Sequence, residues 1–227
     1  MKTHFNKIIA FILVLILSAA AAITGFAVSA ASGSDVSAHV SDGKGDNASQ
    51  AELKDGVWQA LYKTGESNLF FINREESSFS LIDPKKGIGV PSRFEYIGES
   101  GMYKLHIGCE ENVENWRLIE NNGNTAAVCD ENGDVISLFY LSNDTIDTFR
   151  YYTLDELSQM ARACYEKHHD SSEGIDFIAT MKADGSFFAT ITGLKNDKKV
   201  IRYNVDMQTA KGSDNAFETV DLSQYAE

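Results

Sequence analysis

Tyr103-Lys104-Leu105-His106-Ile107 sets apolar side chains at every second position with polar ones between them. Successive side chains of a strand point to opposite faces, so this spacing makes a β-strand with one dry and one wet side. Phe79-Ser80-Leu81 reads the same way. Outward from these stretches, short apolar or alternating runs recur over residues 57–62, 68–72, 79–82, 93–97, 102–107, 115–119, 125–129 and 135–141. The connections carry turn formers: Asp83-Pro84, Gly98, Asn121-Asn122-Gly123 and Glu131-Asn132-Gly133-Asp134. Closely spaced strands joined by polar turns predict an all-β antiparallel meander over residues 51–141, folded as a sandwich or a curled barrel.

The periodicity changes beyond Ser142-Asn143-Asp144-Thr145-Ile146-Asp147, a polar, turn-rich stretch that reads as a boundary. Thr153-Leu154-Asp155-Glu156 has the form of a capping box, in which hydroxyl and carboxylate satisfy two orphan amides reciprocally. Leu157, Met160, Ala161, Cys164, Tyr165 and His168 follow at helical spacing and predict one apolar stripe. Strand-like runs over 175–181, 186–192 and 200–205 come next, and a shorter one over 217–222. Residues 148–227 are thus expected to form a small α+β domain, one helix on an antiparallel sheet, of cystatin-like or PepSY-like kind. That domain is expected to fold without residues 51–141. Phe187 and Phe188 are adjacent, so either could face the helix.

The N-terminus reads as an address. Lys2 and Lys7 precede a stretch, Ile8 to Val28, that holds no charged residue. It softens into small residues ending Val28-Ser29-Ala30, which supplies the small pair a signal peptidase needs. Residues 1–30 are expected to be a signal peptide cleaved between Ala30 and Ala31. The alternative is an uncleaved single-pass anchor with the remaining chain outside, since the uncharged stretch is long enough to span a bilayer core. Residues 31–50 are polar and small, too poor in large aliphatics to offset their ordering entropy, and read as a tether. Asp42-Gly43-Lys44-Gly45-Asp46 within it lacks the closing glutamate of an EF-hand loop.

Asp and Glu number 33 against 20 Lys and Arg, a formal charge of −13 that repels phosphate backbones and argues against nucleic acid as a partner. Three cysteines are too few for a disulfide scaffold; the chain order leaves pairing of Cys109 with Cys129 open, and Cys164 falls on the helix stripe. His168, His169, Asp170 and Glu173 gather where the helix should end. Adjacent helical side chains diverge by about 100°, so cations beside a helix C-terminus are the better reading than metal ligands. His106 sits in a strand with no ligand or base at motif spacing. Glu110, Glu111 and Glu114 near Trp116 read as a solvated loop. There is no Gly-x-Ser-x-Gly, His-Glu-x-x-His or phosphate loop. Gln208-Thr209-Ala210-Lys211-Gly212 matches the ends of the cystatin Gln-x-Val-x-Gly tip but lacks its valine, and reads as a turn. No catalytic residue, cofactor site or metal site is assigned.

Gly87-Ile88-Gly89-Val90-Pro91 with Phe94-Glu95-Tyr96, Leu105-His106-Ile107-Gly108, Tyr151-Tyr152-Thr153, Tyr203-Asn204-Val205-Asp206 and Val220-Asp221-Leu222 occur in an order that resembles a family of exported, mostly uncharacterised Gram-positive bacterial proteins. The resemblance spans about residues 56–222 and implies an N-terminal β domain, a C-terminal helix-plus-sheet domain and export; it brings no catalytic residues. The opening Gly56-Val57-Trp58 is shared with lipocalin-type barrels. The expected function is an exported, non-enzymatic binding or surface-interaction protein whose partner is a surface protein, a wall component or a small ligand. The alternatives are a lipocalin-like small-ligand binder and a hydrolase acting on wall or glycan polymers.

Overall fold

A computed structural model describes residues 52–226 except Asp170 and Phe217. The expected signal peptide, its cleavage site at Ala30 and Ala31, and the tether lie outside the described residues. Eight strands run β1 (Gly56–Leu61), β2 (Ser67–Asn73), β3 (Ser78–Asp83), β4 (Ile88–Ile97), β5 (Met102–Ile107), β6 (Val113–Asn121), β7 (Thr125–Cys129) and β8 (Val135–Ser142). Each pairs antiparallel with the next, and β1 also pairs with β8, with Trp58 opposite Tyr140 and Ala60 opposite Leu138. The barrel is therefore closed. Closure is possible at the seam because Gly56 has φ +120° and no side chain: a Cβ there would run into the Ser142 carbonyl oxygen.

Helix α1 (Leu154–His168) follows, then β9 (Asp176–Met181), β10 (Phe188–Lys195), β11 (Lys198–Asp206), β12 (Lys211–Asp214), β13 (Thr219–Asp221) and a 3-10 turn over Leu222–Tyr225. These strands form one five-stranded sheet in the order β13-β12-β11-β10-β9. The expected fold class, an all-β antiparallel meander as a sandwich or curled barrel followed by a small α+β domain, is corrected on two points: the first sheet closes on itself as an eight-stranded barrel, and the second region is mostly β, with five strands and a single helix among the described residues. Strand β12 escaped the sequence reading because Lys211-Gly212-Ser213-Asp214 has no apolar alternation. Its place in the sheet comes from pairing on both sides, to β11 and β13.

Alternation sorts every barrel strand into two faces. Trp58, Phe70, Phe79, Phe94, Tyr103 and Trp116 point inward and fill the barrel, with Phe70 stacked on Trp116 at 5.5 Å. One end is covered by the segment before β1: Leu53 is buried, its amide donates to the Tyr103 hydroxyl at 2.6 Å, and the Trp58 indole donates to the Lys54 carbonyl at 3.0 Å. The outward residues Val57, Leu69, Phe71 and Ile82 are also buried. They belong to one core cluster with Leu157, Met160, Ile191 and Val205 of the helix and second sheet.

The β9–β10 turn is fastened to the barrel wall. Gln59, outward on β1 and fully buried, donates to the Lys182 carbonyl at 2.6 Å and accepts from the Gly185 amide at 3.1 Å. A buried carboxamide needs such partners, and here they come from the far sheet.

Candidate functional site

Outward positions on β2, β3 and β4 build the floor of a groove of about 430 Å³, lined by Phe71, Ser80, Ile82, Gly87, Gly89, Pro91, Ile146, Phe149 and Tyr151. Its shape follows from the sequence of β4. In the first half of β4 the residues that should project from its outer face are Gly89 and Pro91, preceded by Gly87, so that half presents bare backbone and one proline ring. Pro91 lies opposite Ser80, and Gly89 opposite Ile82. A Cβ on Gly89 would come within 2.9 Å of the Ile82 side chain. The far wall is the segment leaving β8, where the Phe149 amide donates to the Thr145 carbonyl at 2.9 Å and turns Phe149 toward the barrel.

The aromatic wall is held from behind. Phe149 meets Phe71 at 5.7 Å, Tyr151 at 5.8 Å and Phe187 at 5.2 Å, all within the range of favourable ring contacts. Phe187 reaches that place through a φ of +56°, a left-handed conformation unusual for an aromatic residue, and it is buried while Phe188 is only half so. Of the two adjacent phenylalanines, Phe187 faces the core.

The entry to α1 locks the groove rim. The Tyr152 amide donates to the Met207 carbonyl at 2.8 Å. The first helical amides, Leu154 and Asp155, donate to the Pro84 and Lys85 carbonyls of the β3–β4 turn at 3.0 and 3.1 Å. The capping box forms as expected: Glu156 accepts from the Thr153 amide at 2.7 Å, and Thr153 accepts from the Glu156 amide at 3.2 Å. Burial, with Asp83 and Glu156 nearby, pushes the Tyr151 hydroxyl up to about 12. At neutral pH it is a hydrogen-bond donor and not an anion. The groove thus offers an apolar, aromatic surface with two hydroxyls, Ser80 and Tyr151, the composition typical of small-ligand sites. A smaller recess of about 170 Å³ lies beside Ser67, Pro84, Leu154 and Met181, where the buried Ser67 hydroxyl has no partner among the described residues.

The residues weighed in the sequence fall elsewhere. His106 is on β5 with its Nδ1 3.3 Å from Glu110 Oε2. His169 ends α1 and stacks on Tyr165 at 4.1 Å, His168 is exposed, and Asp170 is outside the described residues. Among the described residues, no three His, Cys, Asp or Glu gather as a metal site would require. Cys109, Cys129 and Cys164 are free. The stretch read as a turn, Gln208–Gly212, is one only in its first part, where Asp206 accepts from the amides of Gln208 and Thr209 and buried Ala210 accepts from the Leu222 amide; Lys211 and Gly212 belong to strand β12.

Glu110 and Glu111 are exposed in the β5–β6 turn, as read, but Glu114 is not loop. It lies on β6 on the same face as Trp116 and Leu118, half-buried at the barrel end opposite Leu53. The Trp116 indole donates to it at 3.3 Å. Burial holds its carboxyl above the usual carboxylate range, with Glu131 and Asp130 adding to the effect.

Among the described residues, no helix is long and apolar enough to cross a membrane. Comparison with protein-family models, with curated proteins and with solved structures finds nothing that matches this chain. The groove was the feature that residue-by-residue reading missed. Its signal is the side-chain-poor Gly87-Ile88-Gly89-Val90-Pro91 run, which enters the sequence reading only as one phrase of the resemblance to exported proteins.

Proposed function

We propose that this chain is an exported, non-enzymatic binding protein that takes a small apolar or aromatic group in the groove between β2–β4 and residues 146–151. The observation that carries the reading is the bare outer face of the first half of β4 beside Phe71, Ile82, Phe149 and Tyr151. The volume falls within the range of small-ligand sites, and the polar groups that reach it are few enough to orient a ligand without hydrating the floor. The barrel interior is packed with aromatic side chains, so binding is assigned to the outside of the barrel and not to its lumen. Export rests on the N-terminal segment, and the order of phrases that resembles exported Gram-positive proteins agrees with it.

The test uses an apolar fluorescent probe, anilinonaphthalene sulfonate, with the full chain. Ser80→Trp fills the groove floor from a half-buried position that no core contact depends on. Probe fluorescence should rise with the unaltered chain and fall at least severalfold with the variant, while far-UV circular dichroism stays the same. Equal fluorescence from both proteins would remove the groove from consideration.

A further inference from the structure

We infer that β9 is the contact between two copies of this chain, pairing with itself antiparallel about a twofold axis at Ala179. Strand β9 is the outermost of the second sheet: among the described residues it pairs with β10 and with no other strand. An outermost strand carries a row of backbone donors and acceptors that can take another strand, and proteins ordinarily blunt such edges with proline, inward charges, bulges or extreme shortness. The opposite edge is blunted in this way, since β13 has three residues and runs straight into a 3-10 turn. β9 is not. Asp176-Phe177-Ile178-Ala179-Thr180-Met181 contains no proline or lysine, and its register with β10 runs without a shift. Its outward Ile178 is 50% exposed.

The occupant is set by the charges at the two ends of the strand. Asp176 is exposed on the outer face with Ile178 and Thr180. Lys182, next in that alternation, continues the ladder through its amide to the Phe188 carbonyl at 2.7 Å and lays its ammonium 5.4 Å from the Phe188 ring. Among the described residues neither Asp176 nor Lys182 is in an ion pair, although Asp184 feels the Lys182 charge. Pairing β9 with a second β9 about Ala179 sets Asp176 opposite the other copy's Lys182, Phe177 opposite Met181 and Ile178 opposite Thr180. Directly opposed residues of an antiparallel pair share a face, so each acid meets a base on the outer face, and the exposed isoleucine gains a neighbour. The twofold repeats the charge pair, as an isologous contact must. A shift of the axis by one residue loses both charge pairs. This inference does not depend on the groove.

Sedimentation of the full chain across the micromolar range tests it. A reversible dimer is expected, loosened by salt because its charge pairs are exposed. Asp176→Lys alone, or Lys182→Asp alone, turns two attractive pairs into two repulsive ones and should weaken the dimer about tenfold. The double variant Asp176→Lys/Lys182→Asp restores opposite charges and should return the affinity to near its starting value. A misfolded strand could not give that rescue. A chain that stays monomeric, as it would if another segment covered β9, overturns the inference. So does a dimer whose affinity ignores the single reversals, or a double variant as weak as either single.

Discussion

Glu114 shows how alternation can decide the chemistry of one side chain. As part of an acidic run beside a turn it has the look of a solvated group, yet its strand parity with Trp116 sends the carboxyl into the end of the barrel. Burial raises its proton affinity, and the Trp116 indole only partly compensates by favouring the ionised form. The consequence for stability has a definite sign. Between the ordinary glutamate value and the raised one, the folded chain holds a proton that the unfolded chain has lost. Raising the pH through that window therefore favours unfolding, and the stability present below it is lost as the pH passes the raised value. Glu114→Gln removes the titration while leaving an acceptor for the indole. Urea midpoints of variant and parent should lie close together near pH ~4 and separate toward pH ~7, the variant being the more stable. A gap that stays constant over that range would mean that Glu114 does not sense its burial. Phe187 makes a related point at the same scale: its adjacency to Phe188 hid which ring is buried, and a single left-handed φ, invisible to periodicity, settles it.

At the scale of elements, what could be read depended on how far local pattern alone fixes structure. The helix was legible from its ends and its stripe. Thr153 and Glu156 cap it, and Leu157, Met160, Ala161 and Cys164 are buried, joined by Leu154. The stripe stops earlier than its spacing suggests, since Tyr165 is half-buried and His168 exposed. Leu157→Ala should then cost about 2–4 kcal/mol by leaving a cavity under the helix, whereas Gln159→Ala, on the exposed face, should shift the urea melt by only a few tenths of a kcal/mol. Equal shifts would put the stripe on the wrong side. Strand β4 was legible only from Arg93 onward, because Gly89 and Pro91 are poor strand formers whose pairing is supplied by β3. That half of β4 is also the floor of the groove, so the local rule failed where the candidate site lies. Closure of the barrel was out of reach for a different reason. β1 and β8 are far apart in the chain, and nothing in either strand alone states that they meet.

The whole molecule turns on the outward face of the barrel. In an antiparallel sheet one face is often wet, and the polar stretch around residues 142–147 invites a division into two bodies there. Leu69 argues against independence. It points out of the barrel and is fully buried in the cluster that contains Leu157, Ile191 and Val205, while the barrel's own interior cluster lies on the other side of the wall. Gln59 adds a polar joint between the same surfaces. Two units that share buried apolar surface and hydrogen bonds of this kind unfold together, because separating them leaves each with an exposed apolar face and orphaned polar groups. Leu69→Ala should destabilise the chain by about 2–5 kcal/mol, the range for a large-to-small change in a packed core. The two halves can be followed separately. Trp58 and Trp116 both lie in the barrel, so tryptophan fluorescence reports on the barrel alone, and helical circular dichroism reports on α1 of the second region. In urea the two signals should change at one midpoint in the parent and move together to a lower one in Leu69→Ala, as a single cooperative unit requires. If fluorescence shifts while the helical signal keeps its midpoint, the barrel and the second sheet are independent folding units, and residues 148–227 should fold when expressed alone.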